Sequence, residues 1–327
     1  MVKTSLILSA LALLLSQQQQ SQELPQELAH LKDLVAQENQ LVDAARDFDN
    51  AQTDAAEADL EQAKELAQAG RAGEAKEKQK EASRLFGLIR TAYEFVLQSY
   101  PKNPQAMTYY GEVLYDRFGE FDTAVKAWEE AIVLDPKLSP AYNDLGIHYC
   151  HVGQYTKGLE FYDKAVKLDR DNPDYLFNVV QTYLTSFPEV QRYRKWGKEK
   201  VYRHAMKLSK KAAKLSPTDY ELAQDYAMNF FAAENFDAKP DWKDAAEAWQ
   251  RARELARNEA ERFNAWLNEG RVWIKAGDTA KARACIEEAL KIQPKSPAAE
   301  NLLAGLPAEA PPQKQPVKTN LKKPSSP

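Results

Sequence analysis

His148, Cys150 and His151 fall within four residues of one another in the stretch Gly146-Ile147-His148-Tyr149-Cys150-His151-Val152-Gly153. Imidazole nitrogens and thiolates are the donors that hold zinc and copper, and a thiol beside an imidazole is how a cysteine nucleophile meets its base. Either chemistry needs the donors to converge on one point. On a helix, at about 100° per residue, His148 and His151 share roughly one face, while Cys150 points away from His148. No Asp or Glu follows four residues after either histidine. The three residues therefore read as helix packing and helix surface, with a metal-binding or enzymatic site as the alternative. The chain has no Gly-rich phosphate loop, no G-x-S-x-G, no H-E-x-x-H and no C-x-x-C. The expectation is a non-enzymatic protein with no catalytic residue, no cofactor and no metal.

Charge is the second chemical feature. The net charge of −4 is too small to imply a polyanionic partner, but it averages over two opposite fields. Residues 190–215 hold ten Lys/Arg against the single acid Glu199, a net of +9. Arg192, Arg194, Lys195, Lys198, Lys200 and Arg203 form a candidate basic patch there. Residues 23–69 hold twelve acids against three Lys/Arg, a net of −9. The basic patch suits an anionic protein or the chain's own acidic segment, or it is a solvated helix face with spaced lysines. No base-reading motif accompanies it, so no nucleic acid is expected.

The elements that carry these residues are helical. The chain of 327 residues is 44% hydrophobic and 28% charged, with only 12 glycines and no proline between positions 26 and 99. Ala, Leu, Glu, Lys and Gln dominate, and these are the strong helix formers. Similar blocks recur: AWEEAIVLDP (127–136), KAVKLDR (164–170) and RACIEEALKIQP (283–294), with Pro136 and Arg170 34 positions apart. Within the second block Tyr142, Leu145, Gly146, Tyr149, Gly153, Tyr155, Tyr162 and Ala165 follow a fixed pattern, with Gly158 where alanine is usual. Trp266, Gly270, Trp273, Gly277, Ala282, Ala289 and Pro294 repeat it. Tyr115, Gly119, Phe121, Ala124, Trp128 and Ala131 do so again, with Gly111 one residue early.

This pattern resembles the tetratricopeptide repeat, a helix–turn–helix unit of 34 residues. The resemblance covers residues 70–306 and implies an all-α fold: an α-solenoid, a right-handed superhelix of helix hairpins with an N-terminal helical extension. The expected layout is a signal peptide and Gln-rich spacer at 1–22, an acidic helical extension at 23–69 and a degenerate repeat at 70–103. The array proper spans 104–306, with units at 104–137, 138–171, 172–218, 219–260 and 261–306, the third and fourth carrying insertions. A disordered Pro/Lys tail fills 307–327. Within 23–69, Leu31, Leu34, Leu41, Ala45 and Phe48 follow three-four spacing, which fits a short coiled coil or a capping hairpin equally.

The resemblance also implies a concave groove lined by the first helix of each unit. Translating one helical stripe through the array selects Tyr109, Asn143, Ile147, His151, Phe177, Gln181, Gln224, Met228, Phe231, Leu267, Arg271 and Lys275. Aromatic, amide and a few cationic groups suit a bound peptide or helix. The N-terminal helix or the tail could instead cover the groove. Repeats of this family that clamp a terminal carboxylate use Lys, Asn and Arg at such positions. The first unit offers Tyr109 and Asp116, so that mode is not expected.

The start of the chain sets the expected compartment. Lys3, an apolar run from Leu6 to Leu15 and a polar Gln-rich stretch follow the layout of a secretory signal peptide. The run is too short for a membrane span of about 20 residues, so no stable span is expected after processing. The resulting expectation is a bacterial periplasmic or secreted scaffold binding other proteins, with possible self-association through the N-terminal helix. An intracellular adaptor with an uncleaved N-terminus is the alternative. Cys150 and Cys285 are too few for a disulfide framework.

Overall fold

The computed structural model describes residues 24–307, all outside the signal-peptide segment and nearly all of the tail, so those two expectations lie outside the described residues. Among the described residues the secondary structure is entirely helical. The chain divides between Arg170 and Asp171 into two compact units.

The first unit opens with a 3-10 segment, Gln26–Leu34, followed by the two longest helices, α1 (Glu38–Gln68) and α2 (Ala72–Ser99). No proline interrupts either helix, and the turn between them passes through Gly70 at φ 75°, a left-handed conformation that glycine adopts without steric cost. Leu28, Leu31, Leu41, Val42 and Ala45 are buried with Ile89, Tyr93 and Val96, so α1 pairs with α2 as a hairpin. The span 70–103, read from sequence as a degenerate repeat, accordingly holds one uninterrupted helix, Ala72–Ser99, whose hairpin partner α1 lies upstream. Two further hairpins complete the unit: α3 (Pro104–Phe118) with α4 (Phe121–Leu134), and α5 (Ser139–His151) with α6 (Tyr155–Leu168).

The second unit continues with α7 (Pro173–Thr185), α8 (Phe187–Arg194) and α9 (Lys198–Leu215). Then come α10 (Tyr220–Met228), a 3-10 segment Asn229–Phe236, and α11 (Trp242–Leu255). The hairpin α12 (Glu259–Ala276) with α13 (Thr279–Ile292) and the short α14 (Pro297–Ala304) close it. The insertion in the third repeat is thus an extra helix, α8, placed between α7 and its partner α9. In the fourth repeat the first helix tightens into the 3-10 segment.

Local sequence explains where the helices start. Asn103, Asn172, Asp219, Asp241, Asn258, Asp278 and Ser296 each accept a hydrogen bond from a backbone N–H of the helix that follows. A cap of this kind contributes about 1 kcal/mol. Pro104, Pro173 and Pro297 stand just inside their helices, where the missing N–H has no intrahelical role.

The hairpins close on glycine. A Cβ on Gly146 would stand 2.5 Å from the Tyr162 ring, and one on Gly111 2.4 Å from Trp128 Nε1. At Gly270 the facing group is Ile286, 2.8 Å away. Large residues of the second helix therefore sit directly against the backbone of the first, which is how interior packing density is reached between two crossing helices.

Candidate protein-binding faces

These close approaches fix the register of each first helix, and the register decides which side chains can meet a partner. Gly146 and Gly270 hold the same place in their hairpins, and so does Gly111. The position three residues before each of them is buried: Thr108 at 1% exposure, Asn143 at 7% and Leu267 at 5%. Leu267 packs with Phe263, Ile286, Ala289 and Ala299 as part of the core. One residue after each glycine the side chain opens toward solvent. Glu112 and Ile147 are half-buried and Arg271 is exposed, and four residues further Asp116, His151 and Lys275 are all exposed.

The first hairpin thereby departs from the stripe read from sequence. That stripe was carried back by 34 positions from Asn143 to Tyr109, whereas the structure places Thr108 in the position of Asn143. The second helices do repeat at 34, but α3 carries one extra residue before its turn. Gly111, one position early, marks this shift in the sequence. Tyr109 is consequently not on the open face. Its ring lies under the Arg46 guanidinium of α1, 4.3 Å away, and beside Tyr93 at 6.2 Å.

Helix α1 thus covers the first hairpin through a polar cluster. Arg46 donates to Asp49 at 3.1 Å and to Glu112 at 3.0 Å. Asp49, itself buried, also accepts from the Tyr93 hydroxyl at 2.9 Å and from Thr53 at 3.1 Å. Near it Glu112, Asp116 and Asp144 gather on the faces of α3 and α5. Burial pushes all three carboxyls above the usual range, and the neighbouring Glu112 adds to the effect at Asp144. Asp144 Oδ2 is buried without a hydrogen-bond partner. Asp144 Oδ1 accepts from the Asn143 amide at 3.3 Å, and Arg117 and His151 face Asp116, so burial and the neighbouring carboxyls are what raise Asp144.

His148, Cys150 and His151 diverge. The His148 ring packs edge-on against Tyr115 and Tyr149, at 5.8 and 5.0 Å, and burial holds its imidazole below the ordinary range. Cys150 points into the hairpin, where a Cβ on Gly158 would stand 2.5 Å from its Sγ. His151 is exposed, with Nδ1 3.5 Å from the Tyr115 hydroxyl. Among the described residues no group of three His, Cys, Asp or Glu is spaced to hold a metal. Cys150 and Cys285 are free and buried.

In the second unit the predicted residues lie in mixed surroundings. Phe177 and Gln181 are half-buried, and the Gln181 amide donates to Asp225 at 2.6 Å. Asp225 also accepts from Ser209 at 3.1 Å and Asn229 at 2.8 Å, a network that sequence periodicity does not reveal. Gln224 is half-buried, and Met228 is exposed at 42%. Phe231 falls in the 3-10 segment and turns toward Trp242 and Trp249, each ring 6.3 Å away. Arg271 donates to Asn268 at 2.9 Å, and Lys275 pairs with Glu234.

The basic patch is partly spent on local contacts. Arg192 pairs with Glu189 and Arg203 with Glu199, while Lys198 lies 3.4 Å from Asp237. Arg194 turns inward, donates to the Tyr183 hydroxyl at 2.6 Å and stacks over Tyr193 at 4.8 Å. Lys195 ends α8 in a left-handed conformation, φ 58°. Lys200 lies over the Trp196 ring at 4.6 Å.

Known proteins point the same way as the hairpins. Residues 90–140, 114–173 and 263–296 match the tetratricopeptide repeat family. Tetratricopeptide repeat protein 6 of Homo sapiens is 35% identical over 66 residues, 20% of this chain and 13% of the human protein. Small glutamine-rich tetratricopeptide repeat-containing protein 2 of Mycosarcoma maydis is 29% identical over 86 residues, 24% of each chain. The chain thus spans less than a quarter of the length of these relatives. The C-terminal part of a repeat-containing protein from Cytophaga hutchinsonii superposes with a TM-score of 0.49 at 17% identity, covering 84% of this chain and 98% of that one. The fold is an all-helical solenoid of hairpins, with tetratricopeptide-type repeats at the matched residues. No described helix is long and apolar enough to cross a membrane.

Proposed function

We propose that this chain is an exported, non-enzymatic scaffold that holds a peptide or helix of another protein along the open faces of its first helices. One observation carries the reading: the positions one and five residues after the hairpin glycine face solvent at Ile147/His151 in the first unit and at Arg271/Lys275 in the second, whereas α1 covers Glu112 of the first hairpin. Within each unit such positions lie on packed helices that are already ordered, so binding there costs little ordering entropy. Export rests on Lys3 and the apolar run from Leu6 to Leu15.

Affinity capture compares wild type with an Ile147→Glu/Met228→Lys/Arg271→Glu variant. Loss of the partners from the variant supports the reading. The same partners at the same yield would move binding to another surface. Sequencing the N-terminus of the chain from its native cell tests export separately, and an intact start at Met1 or Val2 contradicts it.

A further inference from the structure

Three features of the molecule are left without a role above: the buried carboxyls around Asp144, a cleft of about 340 Å³ lined by α9, α10 and α11, and the charged exposed faces of α1 and α9. Asp144 Oδ2 is sealed from solvent, and in the cleft the charges of Lys210 and Asp244 already pair with each other at 2.9 Å. The charged faces carry further.

On α1, Asp47, Asp54 and Glu61 are exposed and spaced seven residues apart, with Asp43 and Glu65 continuing the row four residues beyond each end. On α9, Lys200, Lys207 and Lys214 are exposed and also spaced seven apart. Seven residues are about two helical turns, so each row runs straight along one side of its helix with a repeat of about 10.5 Å. The two rows therefore match in period as well as in sign. Local counter-charges are few: Lys64 lies 3.2 Å from Glu61, and Glu199 pairs with Arg203 beside the lysine row. Exposed pairs of that kind are weak and exchange readily.

We infer that the carboxylate row of α1 in one copy docks on the lysine row of α9 in a second copy, so that the protein self-associates through matched charge. A second copy fits better than an anionic lipid surface. Trp196 is occupied by Lys200 and by His204, 5.0 Å away, so the face offers a line of ammonium groups and no projecting aromatic wedge. This surface is separate from the inner faces, and the inference stands whether or not those bind a partner.

Sedimentation of the full chain at about 20 mM and about 500 mM salt reads the association and its screening. The wild type is expected to associate at low salt and to dissociate at high salt. Lys207→Glu/Lys214→Glu and Asp47→Lys/Asp54→Lys should each weaken self-association by at least about tenfold. An equimolar mixture of the two variants should restore it, because each then carries the complement of the other. A wild type that stays monomeric at low salt overturns the inference, as does a mixture that fails to associate. A monomer that binds vesicles of anionic phospholipid through Lys207 and Lys214 would assign the face to membrane and overturn it equally.

Discussion

At the scale of single residues, glycine explains more of this protein than the reactive side chains do. Gly146 matters because the Tyr162 ring needs the space of its missing Cβ. Gly146→Ala is expected to cost about 1–3 kcal/mol, the range for overpacking a tight interface, measured by urea unfolding. Asp144 gives the second prediction. Its folded carboxyl is held above the ordinary range, so the native state keeps a proton that the unfolded chain, with an Asp value of about 3.9, releases. Stability is therefore lost as pH rises from about 4 through the raised value. Asp144→Asn should raise the melting temperature at pH 7 and leave it nearly unchanged below pH 4. An unchanged melting temperature at pH 7 would show that the buried carboxyl carries no penalty. Sequence made the hairpin glycines legible through their spacing. It did not reveal Asp144, because a polar residue one step from Asn143 looks solvent-facing until α3 and its own carboxyls are placed beside it.

At the scale of elements, the N-terminal region is a helix hairpin seated on the first repeat. Its apolar spacing showed that Leu31, Leu41 and Ala45 face something, and left open whether that was a second chain or a helix of the same chain. The structure supplies α2 and α3. Arg46 is the polar fastener, bridging Asp49 of its own helix and Glu112 of α3. Arg46→Met leaves both carboxylates without their cation, at an expected cost of about 1–3 kcal/mol. Hydrogen exchange should then speed up along α1 while the α5–α6 hairpin keeps its protection. The inserted helix α8 and the 3-10 segment after α10 were legible only as extra length. Their form depends on contacts such as Arg194 with Tyr183, which join residues brought together by the fold.

At the scale of the whole molecule, the chain is a helical repeat protein with strong opposing charge on separate helices and recurrent open positions on its first helices. Helical class and repeat architecture were readable because each repeat states its pattern again, so a lapse in one unit is corrected by the next. The binding face was readable only in part. Helical phase predicts which side a residue occupies, but whether a neighbour covers that side is a tertiary matter, as Tyr109 beneath Arg46 and Leu267 in the core demonstrate. The central claim is that other proteins bind at the open positions of the first helices and not on the outer side of α4, separately from any self-association through α1 and α9. Site-specific photocrosslinking in the native cell tests this most directly, with the photoreactive side chain placed at Ile147, at Met228, or at Val133, which is 77% exposed on the second helix α4. The account predicts partner adducts at Ile147 and Met228 and none at Val133. Adducts at Val133 with none at Ile147 or Met228 would contradict it.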